Sequence, residues 1–194
     1  MTGAGLNAAD ALGMRIADYV LPVDEVATLA ERLQGSDPSE VLARLHAPAE
    51  AGHPDVLAQR SWVDECYAFE DCASILAALQ EHRDPRAHVA ARALLDGSPT
   101  ALAVALKALR RAAAMHRVRE CFVQDYRVSC RFLHHPDLAE GIRARLIDRD
   151  RRPRWAPADI GALDPIELDR FFEPLDEELA LTGAGMSLKF KPRA

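Results

Sequence analysis

The sequence has few aromatic residues, little glycine and no long apolar run. Aromatic residues make up 6% of the 194 positions, and the ten glycines include no Gly-Gly pair, no G-x-G-x-x-G and no Walker A motif. The usual sequence signals for a loop that binds nucleotide phosphates are therefore missing. Two G-x-G segments occur, TGAGLN and TGAGMS, but neither follows a clear strand, so neither predicts a phosphate-binding loop.

Cysteine usage and hydropathy also exclude several classes of protein. The four cysteines form no C-x-x-C pair and have no zinc-ligand spacing with histidine, so we interpret them as small buried residues in a reducing environment. No apolar run approaches the ~20 residues that a membrane-spanning helix needs. The first residues lack the charged and apolar regions of a secretory signal. We expect a cytoplasmic protein with no membrane partner.

Residue spacing identifies no catalytic constellation. The adjacent His134 and His135 precede Pro136 and Asp137, which is typical of a polar helix start rather than a metal site. The other histidines fall in predicted loops or on polar helix faces, and no Ser/His/Asp or Cys/His arrangement stands out. From the residues alone, we predict no catalytic residue and no metal ligand in this chain.

Most of the sequence shows helix patterns with capping signals. Asp-Pro or Ser-Pro pairs at 37–38, 84–85 and 98–99 each place a capping side chain before a proline. Apolar residues recur every three to four positions after such starts. One stretch, DYVLP at 18–22, is short and rich in aromatic and β-branched residues, which favours a brief strand. The pattern predicts a mainly α protein with at most one short strand.

A long helix is predicted over the segment HRVRECFVQDYRVSCRFL. In it Val118, Phe122, Tyr126 and Cys130 recur at steps of four and form an apolar seam. Several of the predicted helices carry such wide apolar faces, and the chain has almost no predicted sheet to receive them, so we expect another chain to cover them.

Charge is distributed unevenly along a chain whose net charge is −6. Residues 1–97 carry 16 acidic and 7 basic side chains, residues 98–155 carry 6 and 13, and residues 156–194 carry 8 and 4. The basic middle segment favours a local anionic partner. Its basic residues are interleaved with acidic ones and match no DNA- or RNA-binding motif, so we expect no nucleic-acid partner.

Three segments together resemble proteins of the crotonase superfamily. TGAGLNAADALGMRIADYVLPVDEV resembles the stretch in which a Thr-Gly turn opens a helix and a short strand, and GSPTALAVALKAL resembles the SP-T helix of these proteins. The segment RVRECFVQDYRVSCRFLHHPDLAEGIRARLIDRDRRPRWAPADI resembles the 3-hydroxyisobutyryl-CoA hydrolase branch. Its L-I-D-x-D-x-x-P-x-W extension is more diagnostic than the E-G-x-x-A core, which enoyl-CoA hydratases share. The resemblance is weakest over 35–97 and near the C-terminus.

The resemblance implies a helical C-terminal portion of a crotonase-like fold, without the repeated ββα core that precedes these helices in the superfamily. Residues 1–34 would form the end of that core as helix, short strand and helix. Residues 35–97 would form a helical insert, and residues 98–194 a C-terminal helical region. The expected partner is an N-terminal crotonase-core chain or a second copy of this chain.

The implied function is hydrolysis of an acyl-CoA thioester in valine catabolism, with coenzyme A as part of the substrate and no further cofactor. Family members use carboxylates from a P-E-T and P-D segment upstream of the Thr-Gly turn and an oxyanion hole of two backbone N–H groups. This sequence has no Gly-Gly loop, no P-E-T and no F-P-D, so the resemblance assigns no catalytic residue here and leaves open whether the chain is itself an enzyme. An enoyl-CoA hydratase/isomerase-like protein and a non-catalytic helical interaction module remain the alternatives.

The resemblance also suggests contacts to the phosphates of coenzyme A. Arg145 takes the position at which related hydratases carry an aromatic residue near the adenine, and Arg149 and Arg151 lie in the basic stretch that follows. A competing interpretation is a solvated surface of ion pairs, each weak. Those pairs would join Arg143, Arg149 and Arg151 to Glu140, Asp148 and Asp150.

Overall fold

The computed structural model describes residues 2–43, 45 and 52–179, and the regular secondary structure of these residues is entirely helical. The prediction of a mainly α chain, the C-terminal portion of a crotonase-like fold, is confirmed. Among the described residues no single helix is long and apolar enough to span a membrane. Two consecutive helices, Pro85–Leu95 and Pro99–Ala113, meet that test only together, and they bend by 114° at the break between them.

The chain divides into two compact units, one of Gly3–Glu65 and one of Met1–Thr2 with Cys66–Ala194. The boundary between them falls inside the predicted helical insert of residues 35–97. The three roles assigned to residues 1–34, 35–97 and 98–194 stay predictions, since they describe relations to a larger fold.

The first unit contains short helices whose ends are marked by polar caps and prolines. Its segments in chain order are α1 (Ala8–Gly13), a 3₁₀ turn at Val23–Glu25, α2 (Val26–Gly35), α3 (Pro38–Ala43), a 3₁₀ turn at Leu57–Gln59 and the first part of α4 (Arg60–Cys66).

Helix α1 is anchored to a distant loop of the same unit by two polar side chains. Asn7 caps the helix by accepting a hydrogen bond from the Asp10 N–H at 2.8 Å. Asp10 is 1% exposed, and its Oδ1 accepts from the N–H groups of Val56 at 2.8 Å and Leu57 at 3.1 Å. Burial acts to raise the pKa of Asp10, but these N–H donors outweigh it and lower that pKa below its ordinary value. A side chain at Gly13 would overlap Leu57.

The strand predicted at DYVLP does not form, and residues 18–22 are irregular. A strand needs a neighbour whose backbone groups complete its ladder, and the described residues contain no other strand. Pro22 also lacks an N–H group to donate. The stretch instead leads into the 3₁₀ turn at Val23–Glu25.

The second unit is a set of packed helices joined by short turns. After α4 its described segments are α5 (Cys72–Glu81), α6 (Pro85–Leu95), α7 (Pro99–Ala113), α8 (Val118–Phe132), α9 (Pro136–Ile142), a π-helix at Arg143–Ile147, a 3₁₀ turn at Ile160–Ala162 and α10 (Pro165–Arg170).

Four helices of this unit begin with a proline that follows a capping side chain. Proline at the first helical position costs no hydrogen bond, because that N–H has no partner in a helix. In each case the preceding side chain accepts a hydrogen bond from a first-turn N–H, and these capping residues are Asp84, Ser98, His135 and Asp164. The predicted starts at 84–85 and 98–99 are confirmed, as is the start of α3 at 37–38.

The core of the second unit has two parts. Helix α5 packs against α6 and α7, and Ile75, Leu79 and Leu94 are completely buried there. A second cluster is centred on side chains from α7 and from the turn after α10, namely Val104, Phe171 and Phe172 with partly buried Ala108, Val128, Phe132 and Leu168 packed against them.

Helix α8 does not bury the apolar seam that its sequence suggested. It contributes Val128 and Phe132 to the Phe171–Phe172 cluster and buries Gln124, whereas Phe122 in the seam is 46% exposed. Within the described residues the seam is therefore only partly covered, and its covering by another chain stays a prediction.

Candidate functional site

The basic segment that drew attention in the sequence is organised around one arginine. Arg143 begins the π-helix that continues α9. Its guanidinium binds Glu140 through two nitrogens, at 2.9 and 2.7 Å. The remaining terminal nitrogen binds Asp148 at 2.5 Å and Asp150 at 2.7 Å. We call these four residues the Arg143 cluster.

The charges of the Arg143 cluster are paired with one another. Hydrogen bonds to Glu140, and to a smaller extent to Asp150 and Asp148, raise the pKa of the Arg143 guanidinium above its ordinary value. The same bonds lower the pKa of Asp150. The N–H groups of this guanidinium already face three carboxylates, so no pair of N–H groups is left to bind a phosphate. Arg143 therefore acts as a structural cation.

The three predicted phosphate contacts lie around this cluster without joining it. Arg145 is exposed on the π-helix, Arg149 donates from Nε to the Leu146 carbonyl at 3.3 Å, and Arg151 donates its backbone N–H to Ala144. The ion pairs of the competing interpretation form at Arg143, but among the described residues none forms at Arg149 or Arg151. Their contact with coenzyme A stays a prediction.

The backbone after the π-helix is tightly folded. Arg149 and Arg151 have φ of 56° and 55°, the left-handed region that is unfavourable for side chains with a Cβ. Asp148 and Asp150 alternate with them and bind the same guanidinium. The cluster thus compensates for the strained backbone by gathering both carboxylates at one cation.

A pH dependence follows from Glu140, whose pKa is lowered to about 2 by the hydrogen bonds from the Arg143 side chain and the Arg154 backbone. A carboxyl with a lowered pKa stabilises the folded chain above its ordinary pKa of 4.5, and that contribution disappears as the pH falls toward 2. We expect Glu140→Gln to lower the urea midpoint of unfolding at pH 6, and the difference from the wild type to shrink steadily below pH 4.5. A difference that stays constant down to pH 3 would contradict this.

A second polar group in the same region holds the tail in place. Asp137 is 4% exposed and accepts a hydrogen bond from the Ser98 hydroxyl at the start of α7. Its other oxygen accepts from the Ala156 N–H at 2.9 Å. Asp137 therefore links the first turns of α7 and α9 to the segment that follows Trp155.

Trp155 and Glu140 fix the same tail from the other side. The indole N–H of Trp155 donates to the Asp96 carbonyl at 3.2 Å, and its ring lies against Gly141, where an added Cβ would come within 3.3 Å. Glu140 Oε1 also accepts from the Arg154 N–H at 2.7 Å. The P-x-W-x-P pattern is thus a docking segment for α9.

Two grooves lie in this unit outside the Arg143 cluster. One, of about 450 Å³, lies between the end of α7 and the start of α8 and is lined by four arginines. The other, of about 400 Å³, lies beside α10 and includes Thr100, Arg131 and His135. Neither groove includes Arg145, Arg149 or Arg151. Their residues are dispersed in the sequence, so no local motif marked them.

The described residues contain no group of three or more His, Cys, Asp or Glu side chains placed to hold a metal ion. His134 contacts the Cys130 carbonyl through Nδ1, and His135 caps α9. His135 therefore takes the helix-start role that its neighbours in the sequence indicated, whereas His134 contacts the C-terminal part of α8.

Comparison with known proteins defines the class. The fold and sequence are those of the crotonase superfamily, since a crystal structure of a carnitinyl-CoA dehydratase from Mycobacterium thermoresistibile superposes with a TM-score of 0.83 at 37% identity, over 94% of this chain and 52% of that one. An enoyl-CoA hydratase from Rhodobacter sphaeroides 2.4.1 matches with a TM-score of 0.77 at 33% identity, over 90% of this chain and 50% of that one.

Within that superfamily, the family model described as "Enoyl-CoA hydratase/isomerase" matches residues 1–172, and the chain belongs to this family. Among curated proteins it is 30% identical to "Probable 3-hydroxyisobutyryl-CoA hydrolase 3" of Arabidopsis thaliana, over 92% of this chain and 50% of that protein. It is 26% identical to the mitochondrial 3-hydroxyisobutyryl-CoA hydrolase of Rattus norvegicus, over 90% and 48%. The chain thus spans about half the length of these relatives.

Proposed function

We propose that this chain is the C-terminal part of an acyl-CoA thioester hydrolase of the 3-hydroxyisobutyryl-CoA hydrolase type, and that it needs a complementary N-terminal half for activity. The observation that carries this proposal is the similarity to 3-hydroxyisobutyryl-CoA hydrolases over nine-tenths of the chain but only half of theirs. The reaction would add water to the thioester carbonyl and release a carboxylic acid and the thiol of coenzyme A. It would place the protein in valine catabolism, in the cytoplasm.

The roles of this chain in that reaction follow from the groups it offers. Hydrolysis needs a base for water, an acid for the leaving thiol and N–H donors for the developing oxyanion. The polar clusters described above are engaged in internal pairs: Arg143 with its carboxylates, and Asp137 with Ser98. We assign this chain the positioning of the C-terminal helices, and we assign the chemistry to the other half.

Exposed apolar side chains support the need for a second half. Leu138, Ile142 and Leu146 recur at steps of four along α9 and the π-helix and are all exposed, Leu146 to 65%. Ile147 beside them is 71% exposed. A contiguous apolar surface of this kind is characteristic of a covered interface. We propose that the N-terminal half of the crotonase-like fold covers it.

A hydration or isomerisation reaction is the second candidate. The solved structures that match at 37% and 33% identity are titled as a carnitinyl-CoA dehydratase and an enoyl-CoA hydratase. Their identity to this chain is higher than the 30% and 26% of the hydrolases, so overall similarity does not favour the hydrolase reaction. The L-I-D-x-D-x-x-P-x-W segment, which docks on α9 through Trp155, favours the hydrolase.

The product distinguishes these candidates. The chain is combined with a separately produced N-terminal half of a 3-hydroxyisobutyryl-CoA hydrolase, and the mixture receives 3-hydroxyisobutyryl-CoA or crotonyl-CoA in parallel. We expect free coenzyme A from the first substrate and no 3-hydroxybutyryl-CoA from the second. Chromatographic detection is needed, since the four free cysteines would react with thiol reagents. Hydration of crotonyl-CoA without thioester cleavage would overturn the hydrolase assignment.

A further inference from the structure

The groove between the end of α7 and the start of α8 has an unusual set of charges. Arg111, Arg117, Arg119 and Arg127 all line it, and Glu120 is the one carboxylate among its lining residues. We call this cavity the α7–α8 groove. Like charges gathered around one cavity repel one another unless anions compensate them.

Two of the four arginines already have partners. Arg127 binds Glu178 from Nε at 2.8 and 3.1 Å, so its charge is balanced. Arg111 donates from Nε to the Gln124 side chain at 3.1 Å, and its guanidinium carbon lies 4.8 Å from the Phe172 ring centroid. These contacts hold the Arg111 guanidinium over the aromatic ring. Its charge is not balanced by this bond, because Gln124 is neutral.

The other two arginines stand where positive charge is least favourable. Arg117 is the N-cap residue of α8 and Arg119 lies in the first turn, at the positive end of a 15-residue helix. No side chain caps this helix. Neither guanidinium forms a hydrogen bond or ion pair with the described residues, so only Glu120 offsets them within the groove.

Apart from Gln124, the uncharged residues that line the groove are apolar. Met115, Val123 and the ring of Phe172 line it beside the guanidinium groups. With Arg127 neutralised by Glu178, three uncompensated arginines face one glutamate, an excess of about two positive charges. A volume of about 450 Å³ is in the range of small-molecule sites.

We propose that the α7–α8 groove binds a phosphate-bearing small molecule, with Arg117, Arg119 and the terminal nitrogens of Arg111 meeting the phosphate oxygens. Planar guanidinium groups bind phosphate through paired hydrogen bonds, and the uncapped helix start favours the same anion. The phosphates could belong to inorganic pyrophosphate or to a coenzyme A thioester, which share this chemistry. The site lies apart from Arg145, Arg149 and Arg151 and does not depend on the proposed hydrolase activity.

Calorimetric titration of the full chain with inorganic pyrophosphate, in a phosphate-free buffer, tests the site directly. We expect saturable binding with a Kd below roughly 1 mM. The double substitution Arg117→Ser and Arg119→Ala should weaken binding at least about tenfold, because it removes two charge-assisted contacts. The serine hydroxyl introduced at position 117 can cap α8, so this variant keeps its fold. Glu120→Gln should tighten binding severalfold, because it removes the opposing carboxylate.

Matched controls separate this site from general charge effects. Arg92→Ala removes an exposed arginine of α6 that lies outside the groove, and it should leave pyrophosphate binding unchanged. Titration with coenzyme A identifies the source of the phosphates. If coenzyme A binds more tightly than pyrophosphate and the double variant loses this binding, the groove is assigned to a coenzyme A thioester. Equal binding would assign it to the phosphates alone. No saturable pyrophosphate binding, or binding that survives the double substitution, would overturn the proposal. Neither result depends on thioester hydrolysis.

Discussion

Replacing Phe172 by Ala should lower the free energy of unfolding by about 3–5 kcal/mol, the usual cost of removing a buried aromatic ring. Phe172 is 4% exposed and packs with Val104 and Phe171 at the centre of the cluster that joins α7, α8 and α10. Its ring also lies below Arg111 at 4.8 Å. The urea midpoint, followed by circular dichroism, should therefore fall by roughly 2 M.

Phe172→Leu is the matched control for this substitution. It keeps most of the apolar volume but removes the aromatic face under Arg111, and we expect a loss of about 1 kcal/mol. If Phe172→Ala cost no more than Phe172→Leu, the ring would not be central to the core. In that case the Phe172 ring would also not be the rigid support that the α7–α8 groove requires.

Replacing Asp137 by Ala should cost about 3 kcal/mol, because it removes a buried carboxylate that accepts from two donors, one of them also buried. Those donors are the Ser98 hydroxyl and the Ala156 N–H, which belong to the start of α7 and to the tail. Asp137→Asn should cost about 1 kcal/mol, since it keeps one carbonyl acceptor and Ser98 can reverse its hydroxyl. Thermal unfolding by circular dichroism measures both variants.

Asp125→Ala is the control for the Asp137 variants, because Asp125 is an exposed aspartate on α8. Its loss should change stability by less than about 0.5 kcal/mol. Equal effects of Asp125→Ala and Asp137→Ala would show that the buried junction does not hold the tail. In Asp137→Ala we also expect the fluorescence of Trp155 to shift to longer wavelength, because the tail around Ala156 is released from α9.

Local features of the structure could be predicted from sequence where neighbouring residues determine them. The helix starts at Asp84-Pro85 and Ser98-Pro99 depend only on a capping side chain and a proline beside it. The strand at DYVLP could not be judged in this way, because strand pairing requires a second segment. The same holds for α8, whose buried face is selected by Phe171 and Phe172 from beyond α10.

The same distinction between local and long-range determinants applies to the candidate sites. The sequence shows that arginines and carboxylates alternate around Arg149, but one guanidinium, that of Arg143, gathers three of the carboxylates and leaves the other arginines out. The α7–α8 groove depends on the turn between two helices and on a distant phenylalanine ring, so residue spacing does not reveal it. The resemblance to crotonases predicted the family correctly, because its motifs lie in continuous segments of the chain and do not depend on long-range packing.

The measurement that tests the central claim most directly is hydrolysis of 3-hydroxyisobutyryl-CoA by the purified chain, alone and after mixing with a separately produced N-terminal half of a 3-hydroxyisobutyryl-CoA hydrolase. We predict no release of coenzyme A by the chain alone and clear release on mixing, since the chain lacks the P-E-T motif and the other groups that the reaction needs. Hydrolysis by the chain alone would contradict the claim that its catalytic groups come from another half. Inactivity of the mixture would instead identify a non-catalytic helical module.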